Sequence, residues 1–178
     1  MPILDAKIVR VEEALKMNLY KETVAYLKNL ENNFSGRGSG RTFAIALRAL
    51  LFDSAFPLDL TNRTILEFMA FPGDSMRALL SAKDLCLDIH SKLKSAGIPV
   101  RRVISGRVLS KGNILREVTE LRAKSGLPTF ACKQAWLINQ LNPDIPALKY
   151  LKANYLGVNI KAHSKEQRAY FYLYGRES

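Results

Sequence analysis

Hydrophobic residues recur every three to four positions along most of the chain, which is the spacing of amphipathic helices. Turn-forming Asn, Pro and Gly clusters separate these stretches. Ser39, Thr129 and one of the two neighbours Asp74 and Ser75 precede apolar stretches and are predicted to cap the helices that follow. The pattern predicts six helices, over Ala14–Asn32, Gly40–Phe52, Ser75–Ala96, Asn113–Lys124, Phe130–Leu141 and Ile145–Leu156.

Three other stretches alternate or are rich in β-branched residues, which favours strands. Ala6–Val11 and Val100–Leu109 are predicted as short strands, the second with a bulge at Gly106. Val158–Tyr174 is predicted as a β-hairpin, and Thr61–Ala70 is compatible with either helix or strand. The expected fold class is therefore mainly α with short β elements.

The chain of 178 residues is long enough for one domain or two small ones. No low-complexity segment or long linker interrupts it. We divide it into an N-terminal strand–helix–helix segment (1–56), a central helical segment (57–97) and a basic strand–helix–helix region with a C-terminal hairpin (98–178). We expect these segments to form one compact unit.

Positive charge is concentrated in one part of the chain. Lys and Arg total 27 against 16 Asp and Glu, a net charge of +11. Residues 1–35 are balanced, whereas residues 101–124 hold seven bases and two acids. A localised basic patch indicates a polyanionic partner, most often nucleic acid, because each neutralised phosphate releases condensed counterions.

Other functional classes lack their sequence features. No apolar run approaches a membrane span, and the N-terminus lacks the pattern of a signal peptide, so a cytoplasmic protein without a membrane partner is expected. Cys86 and Cys132 are predicted as reduced core thiols. No metal-ligand spacing, cofactor motif or catalytic motif is present, so no metal, no cofactor and no enzymatic activity are expected. One exception stays open: Tyr170, Tyr172 and Tyr174 could supply the nucleophilic tyrosine of a nuclease or recombinase.

Residues 101–141 follow the order strand, helix, glycine turn, helix, and residues 6–52 repeat this order. This order resembles the ribbon-helix-helix family of DNA-binding regulators. The resemblance implies that two chains pair their strands into a ribbon that enters the major groove, while the second helix grips phosphate. Residues at alternating strand positions would contact the nucleobases. The neighbouring Lys and Arg residues and the starts of the helices would lie near phosphate. The implied DNA-binding residues are Arg101, Arg102, Ser105, Arg107, Lys111 and Thr129, with Arg37, Ser39 and Arg41 in the first copy.

The C-terminal part also resembles a winged helix-turn-helix domain. Phe130–Leu141 and Ile145–Leu156 would be its helices, with Lys149 and Lys152 as the bases of the recognition helix. Val158–Tyr174 would be its wing, with Lys161, Lys165 and Arg168 at the tip. The two interpretations use the helix over 130–141 differently, and both stay open. The aromatic residues at 170–174 are compatible with core packing or with a stacking platform for single strands.

Together these features predict a sequence-specific transcriptional regulator of a plasmid or phage. It would bind double-stranded DNA as a homodimer, with RNA polymerase as a further possible partner, and it resembles plasmid conjugation activators. Two alternatives are an RNA- or single-strand-binding module and a basic adaptor for an acidic protein. The adaptor predicts no binding to nucleic acid at physiological salt.

Overall fold

The computed structural model describes residues 3, 5–30, 32–36, 38–54, 57–70, 74–105, 113–141, 144–155 and 164–174. The chain divides into two compact units. The first consists of Met1–Gly106 with Lys165–Tyr174, and the second of Arg107–Ser164 with Gly175–Ser178. The second unit is therefore inserted between two parts of the first, and the segment 98–178 contributes to both.

The protein is mainly helical with a very small sheet, which confirms the coarse fold class. Within the described residues, the second unit contains α6 (Asn113–Ser125), α7 (Thr129–Leu141) and α8 (Ala147–Tyr155). The elements of the first unit are α1 (Asp5–Leu15), α2 (Lys21–Asn29), α3 (Arg41–Leu51), β1 (Leu58–Asp59), α4 (Arg63–Met69), α5 (Met76–Ser95), β2 (Val103–Ile104) and α9 (Lys165–Tyr174).

Helix α3 is the centre of the first unit and packs against α2, α4 and α5. Eight of its eleven residues are buried. Ala44, Ala46 and Ala49 let neighbouring helices approach closely, while Leu47 and Leu50 fill the space between them. A helix that is apolar on nearly all sides is stable only when it is surrounded, which explains its central place.

The predictions for the helices over 40–52, 75–96, 113–124, 130–141 and 145–156 are confirmed to within a few residues. The Ser75 side chain caps α5 by accepting a hydrogen bond from the Ala78 amide, as predicted. The predicted Ser39 cap is wrong, because Gly40 occupies the N-cap of α3 and the Ser39 hydroxyl donates to the Gly36 carbonyl at 2.7 Å. Thr129 is the first residue of α7 itself.

The strand predicted over 6–11 is wrong, because these residues belong to α1. Ile8 and Val11 are both buried and lie three residues apart, which is helical spacing. The helix predicted over 14–32 is interrupted between α1 and α2. Lys16 has a φ of 53°, and the Glu12 carboxylate accepts a hydrogen bond from the Leu19 amide at 2.8 Å, which fixes the turn.

The strand predicted over 100–109 is reduced, within the described residues, to β2. It pairs in parallel with β1, with Leu58 opposite Val103 and Asp59 opposite Ile104. A parallel pair needs a long crossover connection, which α4 and α5 supply. The pairing is thus made within one chain, whereas the ribbon interpretation expects an antiparallel pair between two chains.

The hairpin predicted over 158–174 is wrong in its second half, because residues 165–174 form α9. Ala169, Tyr172 and Leu173 are buried, and their three- and four-residue spacing places them on one helical face. This helix packs against α4 in the first unit. Residues 156–163, which include the predicted first strand of the wing, lie outside the described residues.

Helix α7 is the centre of the second unit and packs against α6 and α8. Most of its side chains are buried, including Ala131, Ala135 and Ile138. The Trp136 indole donates a hydrogen bond to the Glu117 carboxylate on α6, and the Tyr155 hydroxyl on α8 donates to the Gln134 side chain. These two bonds join both outer helices to α7 and satisfy polar atoms at its surface.

Candidate nucleic-acid interface

Four cationic side chains of the first unit point at the carboxyl ends of helices. Helix C-termini carry carbonyls without a helical donor and a partial negative charge, so a cation there is stabilising. The Lys7 ammonium donates to the Leu51 carbonyl at the end of α3, at 3.1 Å. The Arg41 guanidinium donates to the Ala70 carbonyl at the end of α4, at 2.8 Å, and lies over the Phe68 ring.

The other two of these cations are the most deeply buried. Arg48 is 3% exposed and donates to the carbonyls of Tyr26 and Leu27 near the end of α2. Arg101 is 6% exposed and donates to the Leu173 carbonyl near the end of α9. A buried charge is tolerated only where strong hydrogen bonds replace water, and these carbonyls provide them.

These contacts change the interpretation of several predicted DNA-binding residues. The Arg101 and Arg41 side chains are bound to backbone carbonyls, and Ser39 is bound within its own turn. In this conformation the buried Arg101 guanidinium does not present itself to a base. Lys165 begins α9 and forms an ion pair with Glu67 on α4 in place of a wing-tip contact.

The remaining predicted residues are divided between exposed, half-buried and undescribed positions. Arg102 and Thr129 are exposed, while Ser105 and Arg168 are half-buried. Arg37, Arg107, Lys111 and Lys161 lie outside the described residues.

The tyrosines of α9 are part of the core of the first unit. Tyr172 and Leu173 are buried, Tyr170 packs edge-on against Phe68, and Arg48 lies over the Tyr174 ring. Burial raises the pKa of Tyr174 to about 12, and burial also raises the pKa of Tyr172. The raised pKa values keep the Tyr172 and Tyr174 hydroxyls protonated at neutral pH. The Tyr170 and Tyr174 rings pack against each other as well as against Phe68 and Arg48, which favours core packing over a stacking platform.

The second unit has the higher density of positive charge. Residues 107–164 contain nine Lys and Arg against three Asp and Glu, whereas the longer first unit contains seventeen against twelve. Two of the three acids are already engaged, since Glu117 accepts from Trp136 and Glu120 pairs with Arg116 at 3.0 Å. Cations therefore outnumber the acids that remain in this part of the chain.

Helix α8 separates its apolar and basic residues onto opposite faces. Tyr150, Leu151 and Tyr155 are buried, whereas Lys149 and Lys152 are exposed and lie one turn apart. No ion-pair partner for either lysine occurs within the described ranges. Such a face can contact phosphates without breaking any contact inside the protein.

Helices α6 and α7 add further donors in the second unit. Arg122 and Lys124 are exposed in the last turn of α6. The exposed Thr129 hydroxyl and the first amides of α7 lie at a helix N-terminus, where backbone donors and the helix dipole favour phosphate. The sequence-based set of DNA-binding residues contained Thr129 but omitted Arg122 and Lys124, and it included Lys149 and Lys152 only in the winged-helix interpretation. The signal that identifies them is their place on exposed helical faces.

No group of three His, Cys, Asp or Glu side chains able to hold a metal ion occurs among the described residues. Over the same residues, no helix combines the length and hydropathy of a membrane span. Comparison with known proteins found no matching family model, no matching curated protein and no matching solved structure.

Proposed function

We propose that the protein is a sequence-specific DNA-binding transcriptional regulator whose second unit contacts the DNA. The observation that carries the proposal is the distribution of its cations. In the first unit, Lys7, Arg41, Arg48 and Arg101 are bound to helix C-termini. In residues 107–164 of the second unit, nine Lys and Arg stand against three Asp and Glu, and the cations on α6 and α8 are exposed.

A helical reader of duplex DNA suits this unit better than a paired-strand ribbon. An α-helix fits the major groove of B-form DNA, where every base pair presents a distinct set of donors and acceptors. The exposed face of α8, with Lys149 and Lys152, is a suitable groove-facing surface, and α7 is the helix on which it packs. Arg122, Lys124 and Thr129 would then hold the flanking phosphates.

The alternatives receive less support. A single-strand-binding module needs exposed aromatic rings, and the tyrosines of α9 are packed in the first unit. An adaptor for an acidic protein would use the same exposed cations, so binding measurements have to separate it from a DNA-binding protein. We therefore keep the adaptor as the second candidate.

The proposal includes a homodimer of a plasmid or phage regulator, because two-fold symmetric proteins match operators with two half-sites. Fluorescence anisotropy with the duplex upstream of its own gene, a scrambled duplex and a single strand tests it. We expect the upstream duplex to bind most tightly at physiological salt, with two protein chains per site by light scattering. Absence of duplex binding at that salt would overturn the proposal and favour the adaptor.

A further inference from the structure

The amino end of α3 lacks the groups that normally close a helix. Its N-cap is Gly40, with no side-chain cap hydrogen bond, and its first turn contains no acidic residue. The first helical hydrogen bond joins the Ala44 amide to the Gly40 carbonyl at 2.9 Å. The amides of Thr42 and Phe43 precede that bond and have no acceptor among the described residues. Amides at a helix N-terminus attract anions through their donors and the helix dipole.

A second, independent feature lies at the same place. Thr23 on α2 is fully buried, and its hydroxyl has no hydrogen-bond partner within the described part of the chain. The hydroxyl oxygen lies 3.8 Å from the position that a Cβ on Gly40 would take, so it is directed at the N-cap of α3. A buried hydroxyl without a partner is unusual and calls for an unseen ion or water.

We propose that the amino end of α3 and the Thr23 hydroxyl together bind a phosphoryl group. A tetrahedral oxyanion has several acceptor oxygens and can accept from the Thr42 and Phe43 amides and from the Thr23 hydroxyl at once. Three donors meet at this place, so the expected group is free phosphate or the terminal phosphoryl of a monoester, which has at least three unsubstituted oxygens, whereas a backbone diester has only two. The site belongs to the first unit and does not depend on DNA binding by the second.

The test is a titration of the ¹⁵N-labelled full chain with inorganic phosphate, at ionic strength held constant with chloride. We expect saturable shifts of the Thr42 and Phe43 amide signals. Thr23→Val keeps the shape of the side chain and should weaken phosphate binding about tenfold or more, the loss expected for one hydrogen bond to a charged group. Thr23→Ser keeps the hydroxyl and should retain binding. Thr119→Val, which alters a hydroxyl bonded to the Leu115 carbonyl in the second unit, is the matched control.

Thermal unfolding without phosphate gives a second readout. Thr23→Val should melt at a higher temperature than the unmodified protein, because it removes a buried hydroxyl that has no partner. Failure of phosphate to shift the two amides would overturn the proposal, and so would equal shifts in Thr23→Val or a lower melting temperature of that variant. Thr23→Val should leave the affinity for duplex DNA unchanged, because the expected group is a free phosphate or a phosphate monoester. A reduced affinity for DNA would contradict that assignment and indicate a phosphate of the nucleic acid.

Discussion

Replacing Lys149 and Lys152 together by alanine tests the proposed DNA contact most directly. Both side chains are exposed on α8, and neither has an ion-pair partner among the described residues. Alanine is the strongest helix former, so the double variant should keep α8 folded. The change therefore removes two charges with little effect on the packing of Tyr150, Leu151 and Tyr155 beneath them.

The size of the effect follows from counterion release. Each phosphate contact to duplex DNA contributes about 0.9 to the slope of log K against log salt concentration. If both lysines contact phosphate, the slope becomes shallower by about 2 in the double variant, and affinity falls about 30-fold at ~0.15 M salt. A lysine that contacts a base edge would add a loss that depends on the DNA sequence.

The assay is fluorescence anisotropy with a labelled duplex across a series of salt concentrations. The matched control is Lys21→Ala with Lys94→Ala, which removes two exposed charges from the first unit. The control should keep the slope of the unmodified protein. Fluorescence of Trp136, the one tryptophan of the chain, checks that the second unit remains folded.

Two results would refute the proposed interface. An unchanged salt slope in the α8 variant would mean that Lys149 and Lys152 do not contact phosphate. An equal loss in both double variants would mean that binding follows net charge and not the surface of the second unit.

Three further predictions concern the first unit. Arg48→Met should lower the free energy of unfolding by about 2–5 kcal/mol in urea titrations, because it removes the charged hydrogen bonds that join α3 to the Tyr26 and Leu27 carbonyls near the end of α2; a loss no larger than that of the exposed-site variant Arg77→Met would contradict this role. Arg101→Met should lower stability by about 1–3 kcal/mol and leave the DNA salt slope unchanged, whereas a shallower slope would restore the ribbon interpretation. Hydrogen bonds from Lys165 and Arg63 lower the pKa of Glu67, so its ion pairs stabilise the protein above pH 4.5 and are lost as pH falls through the lowered pKa. Glu67→Gln should therefore cost up to about 1 kcal/mol at neutral pH and nothing in strong acid, and a cost equal at both pH values would exclude the ionic contribution.

The helices that the sequence predicts well are those in which periodicity and caps agree. Helix α5 has a serine cap, a long apolar stripe and Gly97 at its end, and these signals placed it within one residue at each end. The fold class follows from the same patterns. Helix α1 was missed because the hydrophobic residues within 6–11 fit the two-residue repeat of a strand almost as well as the 3.6-residue repeat of a helix.

Helix α9 was missed for a related reason. Ala169, Phe171 and Leu173 alternate with polar residues and tyrosines, which is typical of a strand, yet the buried set within the described side chains is Ala169, Tyr172 and Leu173. A tyrosine counts as polar in an alternating pattern and as apolar in a core. Packing against α4, which lies about a hundred residues earlier, decides between the two, and no local window contains that information.

The candidate site shows the same limit in terms of charge. Arg101 and Lys149 are both cations beside apolar residues. Nothing in the sequence around them indicates which one is hydrogen-bonded to a backbone carbonyl and which one is exposed to water. Arg101 reaches the Leu173 carbonyl, 72 residues away in sequence, whereas Lys149 lies on an exposed helical face. A count of charged residues therefore overestimates the exposed positive charge of the first unit. It underestimates the fraction of the exposed positive charge that the second unit carries. A guanidinium group that is bound to a carbonyl cannot release counterions from DNA without breaking its own hydrogen bonds. We therefore expect the exposed cations of α6 and α8, and not the net charge of +11, to set the salt dependence of DNA binding.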